Sequence, residues 1–283
     1  MPITTTCKRA ASGLKSWGAC AGTALLLSGM GVSTAQAEYL WGFGDVSVNW
    51  LDWSDGTEKR THHGKSDFLY LELEGGALFD WGEMYGFFDL ENPQNTSNEN
   101  NGNHDRRTAL KGNLRYFFGD TGFNLYLHSY NFSTPGFNEQ DQVIGLGYNL
   151  NGGSFWWKPF IGYHGVTSSG YSGSNGYMMG WVLGYSFKLG GQDFLISNWH
   201  ETEFNRNNKY KGNLQTGISN GEGGFKNLQQ AGRSLKDGEN GAVALWWTPI
   251  KEVTAGIQYR YAYYKLGKAT YQDAAIFSLR YNF

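Results

Sequence analysis

Residues 68–76 read FLYLELEGG, and how this stretch is read decides the fold. Successive side chains of an extended strand point to opposite faces. Leu69, Leu71 and Leu73 therefore share one side, and Tyr70, Glu72 and Glu74 share the other. A soluble sheet would bury the leucines against a core. A membrane strand would turn them to lipid and the carboxylates to a hydrated interior. The choice falls to the rest of the chain.

The first 37 of the 283 residues read as a processing segment. A basic start with Lys8, Arg9 and Lys15 leads into the small, apolar stretch Ala19–Met30 and closes on Ala35-Gln36-Ala37. That pattern predicts a cleaved signal peptide over 1–37, with Glu38 as the first mature residue. The apolar stretch falls well short of the roughly 20 residues that span a bilayer. Cys20 lies too far from the cleavage point to be lipidated. Both cysteines, Cys7 and Cys20, leave with this segment, so no disulfide or thiolate metal site is expected in the exported chain. Its loss removes three basic residues and no acidic one, taking the formal charge from −2 to −5. A mildly acidic chain argues against nucleic acid as a partner.

Composition narrows the class. The 41 glycines, 17% aromatics and only 5 prolines favour sheet, while a mean hydropathy of −0.49 is too polar for a bundle of membrane helices. Alternation halves the apolar content of each lipid-facing strand, so a polar average is what an antiparallel transmembrane β-barrel shows. Read for period two, the chain after residue 37 gives twelve extended segments, each near the roughly ten residues of a tilted membrane strand. They span 40–53, 67–80, 82–92, 106–118, 121–132, 141–150, 154–166, 177–188, 192–202, 240–248, 251–265 and 270–283.

The connections alternate in length. Short ones with turn residues fall at Asp80-Trp-Gly82, Gly119-Asp-Thr121, Asn151-Gly-Gly153, Leu189-Gly-Gly191 and Thr248-Pro-Ile250. Long polar ones are expected as outer loops near 54–66, 92–105, 133–140, 167–176 and 203–239. That rhythm belongs to an even-stranded barrel with both termini in the periplasm, forming one domain over 38–283. Aromatics crowd the segment ends at Trp50, Trp53, Phe79, Trp81, Tyr116, Phe117, Phe118, Trp156, Trp157, Trp246 and Trp247, as interfacial girdles require. The chain ends IFSLRYNF, with Phe277, Leu279, Tyr281 and a terminal Phe283 in alternation. This is similar to the signal that hands outer-membrane barrels to their assembly machinery.

The chain also resembles the nucleoside-specific channel-forming outer-membrane proteins of the Tsx type, most closely their OmpK-like members. The resemblance is carried by DFLYLELEGG (67–76), YGFFDLEN (85–92), SNWHETEF (197–204), GAVALWWTP through GIQYRYAYYKLG, and the closing RYNF. It implies a twelve-stranded monomeric barrel with a narrow lumen that passes nucleosides and deoxynucleosides by facilitated diffusion. Some members serve as phage receptors.

If Leu69, Leu71 and Leu73 face lipid, parity assigns the lumen. Tyr70, Glu72, Glu74, Tyr85, Asp89, Arg107, Arg115, Tyr126, His128, Arg260 and Arg280 are the candidate solute contacts, beside Glu83, Phe87, Lys111, Asn113, Asn124, Lys158, Gln258 and Gln272. Rings would stack on a base while charged and amide groups bond its edges and the sugar. The same charges could instead pair across a small barrel and fill it. Glu72 and Glu74 as a glycosidase pair, and His62, His63 and His104 as a metal site, are weaker readings. His128 and Ser129 point to opposite faces and cannot form a hydrolase pair. The sequence thus predicts a channel in the bacterial outer membrane, with no catalytic residue, metal or cofactor. Its expected surroundings are the lipid bilayer, lipopolysaccharide, the barrel assembly machinery and small solutes, set against the alternative of a surface-binding barrel that serves a phage.

Overall fold

The computed structural model describes residues 37–95, 105–168, 171–207, 210 and 236–283. The expected signal peptide, His104 and most of the expected 203–239 loop lie outside the described residues. Within them the chain runs through β1 (Tyr39–Trp53), a short helix α1 (Asp55–Arg60), β2 (Phe68–Phe79), β3 (Gly82–Glu91), β4 (Arg107–Phe117), β5 (Phe123–Thr134) and β6 (Phe137–Tyr148). It continues through β7 (Leu150–Gly152), β8 (Phe155–Ser168), β9 (Tyr171–Leu189), β10 (Gln192–Phe204), β11 (Gly238–Ile250), β12 (Val253–Tyr263) and β13 (Tyr271–Asn282).

Each strand pairs antiparallel with its neighbours in sequence, and the sheet closes twice over. β1 pairs with β13, and β6 pairs with β8 over Gly147↔Phe160 to Glu139↔Ser168. The three residues of β7 only lengthen the ribbon at the foot of β8. What remains is a closed, antiparallel, twelve-stranded barrel, so among the described residues its twelve strands leave no barrel edge open. Twelve strands lie between the eight that side chains fill completely and the sixteen that leave an aqueous channel. A narrow bore lined by long side chains follows.

The register settles which face of FLYLELEGG meets lipid. Glu72 sits between Ser47 and Asp89, and Glu74 between Asp45 and Phe87, all on the inner face. Leu73 is 53% exposed on the outer face, as are Ile144 at 55% and Leu279 at 59%. Val46, Val48, Leu71, Leu110, Leu146, Ile161, Val243, Leu245 and Ile257 complete this aliphatic belt. Exposed Tyr116, Phe118, Phe123, Trp157, Trp247, Tyr281 and Phe283 ring its short-turn end, and Tyr163, Tyr177 and Tyr259 stand toward the other. Four members of the expected girdle belong elsewhere by parity. Trp53 and Trp246 are buried inside the barrel, and Phe117 and Trp156 share the inner face with Arg115 and Lys158.

Local chemistry sets the turns. Gly190 and Gly191 join β9 to β10 with φ of +59° and +79°, the paired left-handed conformation of a two-residue hairpin that matches strand twist. Three expected connections move. Residues 133–140 are not a loop, since β5 and β6 run to Thr134 and from Phe137 with Thr134↔Phe137 paired, leaving Pro135-Gly136 as the turn. Residues 167–176 are mostly strand, because β9 begins at Tyr171 and pairs there with Ser168. The β11–β12 turn is Lys251-Glu252, with Pro249 absorbed at a bulge between Trp247 and Ile250. Proline is tolerated at such an irregularity because no ladder donor is needed there.

The expected 54–66 loop holds α1, whose N-cap Ser54 accepts from the Thr57 amide at 3.1 Å. Asp273, at the rim on β13, accepts from Ser54 Oγ at 2.7 Å, Thr57 Oγ1 at 2.9 Å and Arg60 Nη2 at 2.9 Å. The helix is thereby tied to the β13 side of the long-loop end.

Candidate functional site

The lumen is crossed by ion pairs. Lys111 on β4 reaches Glu201 on β10, with four strands between them on one side of the ring and six on the other. Lys158 on β8 reaches Glu83 on β3 at 2.6 Å, skipping three strands. Lysine is long enough to bridge a bore of this size, and an ammonium that gives up part of its water there needs a carboxylate to offset the loss. Trp199 lies beside the first crossing, with Lys111 Nζ 5.8 Å and the Arg260 guanidinium 5.7 Å from its ring centre.

The connection between β12 and β13 folds inward to support this crossing. Its Lys265 lies 2.8 Å from Glu203 and 3.6 Å from Glu201, while Arg206 holds Glu203 at 2.6 Å and donates to the Tyr264 carbonyl at 2.7 Å. Burial works against the charge on Lys265, yet Glu203 and Glu201 hold its pKa above the usual lysine value. Tyr264 and Leu266 adopt φ of 51° and 57°, a conformation that bulky residues take only when their surroundings impose it. Leu266 packs on a cluster of Leu51, Trp53, Phe68, Tyr70, Ala274 and Ile276 that fills one side of the bore near the long-loop end.

A second group sits further down on β1, β2, β3 and β13. Arg280 faces Glu74 at 2.8 Å, Glu72 at 3.6 Å and Asp45 at 3.7 Å. Tyr85 donates to Glu74 at 2.5 Å, and Asp89 is hydrogen-bonded to Glu72. The Arg280 guanidinium also lies 3.9 Å from the Trp246 ring centre. That ring can lie flat on the wall because its partner across the ladder is Gly256, where a Cβ would collide with it. The opposite wall carries a third group, in which Tyr126 stacks on Phe160 at 4.2 Å beside Val143 and Met178. Arg115 lies over the Tyr126 ring at 4.7 Å and donates to the carbonyls of Lys158 and Pro159 at 2.9 and 3.2 Å.

The candidate residues therefore fall into separate places. Glu72, Glu74, Tyr85, Asp89 and Arg280 come together. Arg115, Tyr126 and His128 form the opposite group, with the Tyr126 hydroxyl 3.3 Å from His128 Nδ1. Arg107 stays at the mouth on Glu91 at 2.6 Å and over Phe68 at 4.8 Å. Arg260 stands over Trp199, and Tyr70 belongs to the apolar cluster. Parity also assigns Asp45, Asp141, Phe160, His164, Trp199, Glu201, Glu203 and Trp246 to the lumen, which the sequence reading left out. The alternation on β1, β6, β8, β10 and β11 was the signal that could have found them.

Among the described residues two groups of side chains bring possible metal-ligand atoms within 4.8 Å of one another, Asp45 with Glu72 and Glu74, and Asp141 with His164 and Glu203. In the first the cationic place is taken by Arg280, and in the second by Arg206 and Lys265 at Glu203. At the mouth Lys65 lies 5.1 Å over the Trp53 ring. Burial and then the nearby Arg107 lower its pKa to about 7, against the pull of Glu91, and Lys268 and Arg260 add to the lowering.

A closed barrel with an aliphatic outer belt, aromatic girdles and a charged, crossed bore is a channel of a bacterial outer membrane. The chain belongs to the family of nucleoside-specific channel-forming proteins, Tsx, whose sequence pattern matches residues 48–283. Solved structures that it resembles include the KdgM porin in complex with disordered oligogalacturonate, at 8% identity over 86% of this chain and 99% of that one with a TM-score of 0.44. Others are the NanC porin, at 9% identity, 83% and 98% coverage and 0.46, and the Salmonella typhi outer membrane phospholipase dimer with bound calcium, at 12%, 83%, 89% and 0.42. Likenesses this distant bear on neither solute nor mechanism.

Proposed function

We propose that the channel passes nucleosides by facilitated diffusion, with the lumen residues as their contacts. One observation carries this reading. Asp45 Oδ1 and Asp89 Oδ1 are buried without a hydrogen-bond donor, in a group where Asp45, Glu72 and Glu74 share the single guanidinium of Arg280 and Asp89 is hydrogen-bonded to Glu72. Surplus acceptors favour a solute rich in hydroxyl donors and disfavour an anion. Rings at Tyr85, Trp246, Tyr126 and Phe160 supply faces for a base, at about 1–3 kcal/mol per stacked base by analogy with single-strand binders. Binding of that order attracts a solute yet releases it.

In the same reading residues 1–37 are removed on export, the terminal Phe283 strand is read by the assembly machinery, and the rim stands among lipopolysaccharide. The test is planar-bilayer conductance with nucleoside added. Current reduced by nucleoside, and restored on changing Glu72 or Tyr70, supports the proposal. A pore indifferent to nucleosides sinks it. A barrel that is silent in bilayers, and loses phage adsorption when 205–238 is deleted, would replace it with the surface-binding role.

A further inference from the structure

The lumen cations differ in whether a carboxylate holds them. Lys111, Lys158, Lys265, Arg206 and Arg280 each face at least one carboxylate within 4.0 Å. At the long-loop end three cations sit on aromatic faces, Lys65 over Trp53 at 5.1 Å, Arg107 over Phe68 at 4.8 Å and Arg260 over Trp199 at 5.7 Å. A ring face holds a cation in place but accepts none of its N–H bonds in the plane of the head group. Among the described residues Arg107 has Glu91, whereas Lys65, Arg260 and Lys268 have no carboxylate within ion-pair distance. Arg260 Nε is buried without an acceptor, and so is Ser66 Oγ in the loop that carries Lys65. Lys268 Nζ comes against Gly64 in that same loop. The ammonium and guanidinium groups close enough to act on Lys65 are those of Arg107, Lys268 and Arg260, and the one acid is Glu91.

We propose that Lys65, Arg260 and Lys268, with Arg107 beside them, form an anion subsite at the outer mouth that takes phosphate, free or at the end of a phosphorylated solute. Tetrahedral phosphate offers acceptors in several directions, which suits separate donors converging from the β1–β2 loop, β12 and the β12–β13 loop. Below it the three carboxylates around Arg280, Asp45, Glu72 and Glu74, outnumber its one positive charge and repel the same anion. The mouth thus collects phosphate-bearing molecules that the bore does not admit, and a dephosphorylating reaction on the outer side would supply the solutes that pass. This subsite is independent of the nucleoside reading.

The full-length barrel in oriented planar bilayers tests it, with inorganic phosphate, adenosine monophosphate and adenosine as separate probes. Phosphate and the monophosphate should reduce current from the outer side at concentrations without effect from the inner side. The double variant Lys65→Gln, Lys268→Gln should raise the half-blocking phosphate concentration by about tenfold or more, leaving the response to adenosine unchanged. Equal potency of the two anions assigns the site to free phosphate, and a more potent monophosphate assigns it to phosphorylated solute. Phosphate block that is equal from both sides, or unchanged in the double variant, overturns the proposal. Should the double variant fail to assemble, phosphate-31 line broadening on the folded protein decides instead: broadening that weakens in Lys268→Gln supports the subsite, and broadening that does not change overturns it. Absence of adenosine block alongside intact phosphate block would remove the nucleoside reading and leave this one standing.

Discussion

Replacing Lys111 with Met removes the charge that crosses the bore while keeping a chain of similar length on the β4 wall. The two partners are 16% and 11% exposed, so the pair is reached by lumen water and is weaker than a dry one. A pair of that kind is worth about 1 kcal/mol, near the top of the range for solvated pairs and below the 3–5 kcal/mol lost on breaking a fully buried one. Glu201 keeps Lys265 at 3.6 Å, so the barrel should still assemble. If parting Lys111 from Glu201 is what admits a solute, Lys111→Met should speed passage by about fivefold, the rate equivalent of about 1 kcal/mol. Swelling of proteoliposomes in a neutral sugar measures this without reference to the preferred solute. Glu201→Gln should act in the same direction, and the double variant should match the faster single one, since one interaction can be broken only once. Additive effects, or no change in Lys111→Met, would refute the crossing as the constriction.

Lipid and lumen faces can be separated on neighbouring positions of β12. Ile257→Arg should cost about 2–4 kcal/mol in urea unfolding from lipid vesicles, and Gln258→Arg should cost much less, so equal costs would contradict the assigned faces. Gly256→Val should force the Trp246 ring off the wall and toward Arg280, destabilising the barrel by about 1–3 kcal/mol as overpacking does, measured in the same titration. Lys65 should lose its charge as pH rises through about 7. Anion preference, read as reversal potential in a salt gradient, should therefore fall across that range and stay flat in Lys65→Met.

Most of the barrel was legible because its determinants are local. Strand parity in FLYLELEGG and the glycine turn at 190–191 each depend on a few adjacent residues, and both stand where the sequence put them. The two misjudged outer loops failed for a related reason. Polar residues at 133–140 and 167–176 resemble loop composition, yet a strand that projects beyond the membrane is wet on its outer face and needs no apolar alternation. The bore was legible only as a set of inward positions. Parity says that Lys111 points inward, but its partner Glu201 lies 90 residues away on a facing wall, a distance that no periodicity carries. Lys265 was hidden more deeply. It lies in a connection whose inward course depends on left-handed Tyr264 and Leu266, residues with no turn signature of their own.

The bar laid by Lys111 and Glu201 across the middle of the barrel also changes what size means for a molecule trying to pass. A round opening sorts by diameter, and a bigger barrel simply admits bigger things. A bored cylinder with a rail across it is closer to a letterbox, in which thickness is limiting and breadth is not. Planar rings turned edge-on clear such a slot where a rounder molecule of equal mass is stopped. Shape can therefore be sorted before any hydrogen bond is made, and a side chain swap at either end of the rail would retune the sieve without touching a single strand.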